Sequence, residues 1–230
     1  MIRWTLFAAA LALTACASKP PVPDWQLNAR NAVERATQAD LEGHRRVAQL
    51  EWRRAFEETR RTADPARWAR VVLVQCAVQQ AMLQLTACEA FLPWAGESTE
   101  ADRAYARYLE GQPLAEDLSR LAEVHRPVAR QMLGPSPLPP SPVLLAIADP
   151  LSRLVAASSL LRARQLDHAG IAVAVDTASS MGWRQPLLAW LLLQAETAQA
   201  AGDRKLADQA RRRIEWLSEA AAARPAQKAD

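Results

Sequence analysis

The chain has 230 residues, 50% hydrophobic and 23% charged, with a formal net charge of +3. That apolar content is enough for a buried core, and so small a net charge excludes intrinsic disorder over most of the length. With 48 alanines and only 7 glycines, helix is favoured. The φ > 0 positions that hairpin-rich β-sandwiches, P-loops and dinucleotide-binding folds need are scarce.

Met1-Ile2-Arg3 is a short basic start, residues 4–13 are apolar, and Leu13-Thr14-Ala15-Cys16 follows. This is the anatomy of a secretory signal peptide over 1–15. The apolar run is about half the ~20 residues that a transmembrane helix needs. Leu13-Thr14-Ala15-Cys16 resembles the lipobox of bacterial lipoproteins. The resemblance implies cleavage before Cys16, diacylation of its sulfur and acylation of the new amine, a permanent anchor. Ala17, where an aspartate is associated with inner-membrane retention, implies sorting to the outer membrane, with the body facing the periplasm. Residues 16–24 then form a lipidated tether, extended because Lys19-Pro20-Pro21-Val22-Pro23 cannot be helical.

Beyond the tether the sequence predicts helix after helix. Residues 25–41 carry Ala29, Ala32, Ala36 and Ala39 at helical spacing, and Gly43 breaks the run. Residues 44–61 show an Ala48, Trp52, Ala55, Phe56, Thr59 stripe with Arg and Glu opposite. Asp64-Pro65 opens an apolar, central helix. Residues 91–99, with Pro93 and Gly96, read as a loop, followed by helices near 99–110 and 113–132, the second strained at Pro127. Residues 134–142 are a proline-rich linker between an N-terminal helical region (25–133) and a C-terminal one (143–223), or a strap packed across one domain. Asp149-Pro150 is a further helix start, with helices near 151–165, 168–181, 185–201 and 203–222 and a frayed tail over 224–230. No segment alternates at period two. The fold is expected to be all-α, built from antiparallel helical hairpins.

Once Cys16 is lipidated, Cys76 and Cys88 remain, and in an oxidising compartment an even pair suggests a disulfide, two buried thiols being the alternative. Twelve residues of unbroken helix would hold them ~18 Å apart, so bonding requires the helix to end near residues 83–85 and the chain to turn back.

Gly43-x4-Ala48-x3-Trp52-x2-Ala55 resembles the second half of a tetratricopeptide repeat, with Ala32, Ala36 and Ala39 where its first helix takes small residues. The layout recurs more weakly at Gly202-x4-Ala207, after Leu191, Ala195 and Ala198, and more faintly over 160–178. The middle, 65–150, does not fit, so an α-solenoid and an irregular helical bundle both stay open. The resemblance implies a concave partner groove lined by Arg30, Thr37 and Asp40 at the front and by Leu192, Glu196 and Gln199 at the back.

The chain offers little chemistry. His44, His125 and His168 have no partner at metal-ligand spacing, and Gly-x-Ser-x-Gly and Ser-x-x-Lys are absent. His44 and His168 suit caps or exposed positions, and His125 suits a helix end where a cation complements the dipole. Glu57-Glu58 and Glu97 with Glu100 read as solvated, salt-bridged faces. No catalytic residue, metal site or cofactor is expected, and nucleic acid is excluded by compartment more than by charge. Among the tryptophans, Trp52, Trp68, Trp190 and Trp216 sit on helical stripes and are expected in the core. Trp94 and Trp183, beside Pro93 and Gly182, are expected as exposed anchors. The expected function is that of an outer-membrane lipoprotein adaptor for envelope proteins: secretin or pilus piloting, outer-membrane protein assembly, or scaffolding of peptidoglycan enzymes. The alternative is a structural or small-ligand-binding envelope lipoprotein.

Overall fold

The computed structural model describes residues 22–86, 88–134 and 139–222. The expected signal peptide, Cys16 and most of the expected tether, residues 135–138 of the proline-rich segment and the expected tail over 224–230 lie outside the described residues. Among those described, ten α-helices and three 3-10 turns pack together with no strand, an all-α fold of helical hairpins. Helices α1 (Asp24–Glu42) and α2 (Arg45–Arg60) form the first hairpin. Ala32, Ala36, Ala48 and Ala55 are fully buried between them, small side chains that let the two axes approach closely. Gly43 makes the corner at φ 89°, and a Cβ there would lie 2.6 Å from the Gln185 side chain. The turn therefore needs glycine twice, for its left-handed backbone and for the close approach of a later helix.

Helix α3 (Pro65–Ala81) opens on Asp64, whose carboxylate accepts from the Ala66 and Arg67 amides ahead of an N1 proline. It packs against α1, α2, α4 (Glu100–Leu109) and α7 (Pro150–Arg162). Helix α7 has an unbroken buried run from Leu154 to Leu160. Because α3 and α7 come from opposite sides of the proline-rich segment, helices from both sides share one core. Gln80 ties them further, donating to the Leu109 carbonyl (2.8 Å) and to Ser159 Oγ (3.2 Å).

The single helix expected over 113–132 is instead three pieces: 3-10 turns at Ala115–Ser119 and Glu123–His125, then α5 (Arg126–Met132). Asp117 accounts for the first break. It is wholly buried, takes an ion pair from Arg107 and accepts from the Leu114 amide at 2.8 Å, which draws the chain inward. Pro127 then falls in the first turn of α5, where its missing N–H costs nothing. The same rule lets Pro140 open α6 (Pro140–Leu145), so residues 140–142 are helical where linker was expected.

Helices α8 (His168–Ser180), α9 (Arg184–Ala200) and α10 (Arg204–Ala222) complete the fold as consecutive antiparallel neighbours. Helix α9 also packs against α1. Contact between the first helix and the penultimate one closes the arrangement, so it is an irregular bundle rather than an open solenoid.

Helix α3 stops at Ala81, Leu83 takes φ 58°, and Cys76 and Cys88 are joined across a Cα–Cα distance of 5.8 Å. Replacing both cysteines by serine is expected to lower unfolding stability by about 3 kcal/mol, the loop-closure value for a ring of this length. A urea titration of wild type and double variant measures it.

Candidate functional site

After the α3 terminus the chain is pinned at several points. The disulfide holds Cys88, Phe91 is buried, and Arg103 donates to the Ala95 carbonyl (2.9 Å) and the Ser98 carbonyl (2.5 Å). Between these anchors a 3-10 turn, Glu89–Trp94, displays Leu92 at 69% exposure beside exposed Pro93. Trp94 is half-buried and turns toward Trp68 of α3, with ring centroids 6.0 Å apart, and Trp68 in turn meets Phe56 of α2 at 4.7 Å. The two tryptophans wall an open cleft of about 370 Å3, whose rim carries Thr59, Arg60, Asp64 and Glu97. The Arg60 guanidinium lies 5.1 Å from the Trp68 ring centroid, close enough for a cation–π contact. Apolar walls with a few charged groups on the rim suit a protruding apolar side chain or a small molecule.

Trp183, expected to be exposed, is buried at 6%. Helix α8 ends in a Schellman motif. Gly182 takes φ 66° and donates to the Ser179 carbonyl, and the Trp183 amide reaches the Ala178 carbonyl at 3.1 Å. That geometry folds the residue after the glycine back onto the helix as a hydrophobic contact. Trp216 errs in the opposite sense. Expected in the core, it is 76% exposed, because α10 buries Ala207 and Ala210 and Trp216 lies on the far side of the helix. Trp52 and Trp190 are buried as expected, and Trp68 is half-buried.

Of the six groove residues, Arg30, Thr37 and Asp40 stand on α1 and Leu192, Glu196 and Gln199 on α9. Arg30 is spent on Glu34 one turn along α1 (2.9 Å), and Asp40 accepts from Trp52 Nε1 (2.7 Å) in the α1–α2 hairpin. Gln199 accepts from Arg211 of α10 (3.1 Å). Thr37 is half-buried, while Leu192 and Glu196 are exposed. Burial raises the Asp40 pKa, against the Trp52 hydrogen bond.

Several of the acids are bound to arginine. Glu58 pairs with Arg61 and Glu100 with Arg103, and the buried Glu51 is held below its usual range by Arg35, with Arg54 alongside. Arg107 lowers Asp117 in the same way. These pairs position helices. Among the described residues no group of three or more His, Cys, Asp or Glu could hold a metal ion, and no helix is long and apolar enough to cross a membrane.

His125 stands at a helix end as expected, closing the 3-10 turn Glu123–His125 where α5 begins, but it is buried against the rings of Tyr105 (5.4 Å) and Tyr108 (4.8 Å) with Nδ1 unpartnered. Burial depresses its pKa to about 4, against the raising influence of Asp149, so the ring is neutral where a cation was expected. The unfolded chain binds this proton more readily than the folded one, so stability falls as pH drops from 6.5 toward 4. The full loss is about 3 kcal/mol. Depressed carboxylates such as Asp117 add their loss only as pH falls further, through and below the unfolded carboxylate range. A His125→Phe variant is expected to flatten the 6.5-to-4 limb of a stability–pH profile and leave the lower limb intact.

No known family, no curated protein and no solved structure matches the chain.

Proposed function

We propose that this chain is an outer-membrane-anchored periplasmic lipoprotein whose helical body works as a protein–protein adaptor or assembly factor for an envelope machine. The lipobox-like Leu13-Thr14-Ala15-Cys16 supports the anchor. The observation that carries the adaptor role is the display of Leu92, 69% exposed, on a disulfide-pinned turn next to the Trp68–Trp94 cleft. An apolar residue held out on a rigid turn costs solvation when free and recovers it when a partner covers it. Rigidity also limits the entropy lost on docking. Aromatic walls beside such a knob are the setting in which binding energy concentrates. Secretin or pilus proteins, outer-membrane assembly factors and peptidoglycan enzymes are the partner classes consistent with that address.

A second reading rests on the same cleft: about 370 Å3 lies within the range of small-ligand sites. A structural lipoprotein that binds an envelope metabolite there would show a raised melting temperature with that ligand, lost on Trp94→Ala.

The adaptor reading is tested by affinity purification of the lipidated chain from crosslinked envelopes. Wild type is expected to retain one stoichiometric partner. Leu92→Asp and Trp94→Ala are expected to lose at least about tenfold of it with melting temperature held, and Cys16→Ser to lose it through mislocalisation. No enriched protein in any sample would overturn the reading.

A further inference from the structure

Helix α10 packs against α9 alone among the helices that it contacts substantially. Ala207 and Ala210 are buried in that seam, with Ile214 and Leu217 half-buried beside them. Its outer face carries Trp216, more exposed at 76% than any other large apolar side chain among the described residues. The ring is a ridge between two hollows. One, of about 270 Å3, is lined by Leu187, Leu191, Arg213 and Leu217; the other, of about 670 Å3, by Gln194, Leu206, Arg212 and Glu219.

The charges choose the direction of pairing. Arg212 lies four residues before Trp216 and Glu219 three residues after it, on the same face, and neither has an ion pair among the described residues. A parallel pairing would set arginine against arginine. An antiparallel pairing about a two-fold axis at the Trp216 turn sets each Arg212 opposite the other copy's Glu219, twice over. The same register brings the two Trp216 indoles against each other at the axis.

We propose that α10 is a self-association surface on which a second copy of this chain docks antiparallel, the two Trp216 rings covering each other at the axis and each Arg212 meeting the other copy's Glu219. This surface is separate from the Trp68–Trp94 cleft, so the proposal does not depend on the adaptor reading. A 19-residue helix is about 28 Å long, which puts a one-helix contact at the lower end of specific interfaces and the affinity in the micromolar range.

Sedimentation equilibrium of the full chain in density-matched detergent tests it. Wild type is expected to pass from monomer to dimer with concentration, and Trp216→Ala to weaken the dimer by at least about tenfold at unchanged melting temperature. Arg212→Glu and Glu219→Arg are each expected to weaken it, and the double variant Arg212→Glu/Glu219→Arg to restore it, since the exchanged charges again face each other. A chain that stays monomeric throughout overturns the proposal, even if crosslinking then captures a different protein through Trp216. So does a dimer indifferent to Trp216→Ala, or a double variant that fails to recover.

Discussion

The last turn of α3 is buried at the centre of the molecule, and the fold follows from how its backbone is satisfied. A helix end leaves its final carbonyls without intrahelical donors, and water does not reach these. Trp190, wholly buried on α9, donates its Nε1 to the Ala81 carbonyl at 3.0 Å, across 109 residues of chain. Gln80, one residue earlier, donates to the last residue of α4 and to Ser159 on α7. Three helices are thereby registered on one turn, and removing any of these donors would strand a buried acceptor.

The same terminus generates the candidate site. Because α3 ends at Ala81 and Leu83 accepts a left-handed backbone, the chain reverses within reach of Cys76. The disulfide, buried Phe91 and the Arg103 hydrogen bonds then fix a turn that sequence marks only as a loop. With those anchors made, Leu92 is left exposed and Trp94 meets the Trp68 ring. Core and display surface are two consequences of one helix ending where it does.

Arginine does the lateral work. Buried or half-buried acids such as Glu51, Asp102 and Asp117 are each met by guanidinium groups from another element or turn. A planar fork satisfies a carboxylate with two parallel bonds, as Arg70 does for Asp102 at 3.1 and 3.2 Å. A chain with 48 alanines builds a close-packed but shallow core, and these cross-links set the register that small side chains leave loose.

What the sequence determined by itself was the helical character and most helix boundaries, because alanine spacing, Asp-Pro starts and glycine corners act within one or two turns. The pairing of Cys76 with Cys88 was legible for the same reason, since it demanded only a nearby helix end. Trp216 is the exception, expected in the core and found exposed, although Ala207, Ala210, Ile214 and Leu217 mark a buried stripe from which 100° per residue carries position 216. Tertiary structure alone decided which loop residues face out. Trp183 and Trp94 both neighbour a breaker residue, yet a Schellman motif buries the first and a disulfide-pinned turn half-exposes the second. It also decided that α1 packs against α9, which no local pattern records. His125 turned on the same kind of fact, because its charge depends on rings of Tyr105 and Tyr108 that reach it only once α4 and the turn before α5 have packed.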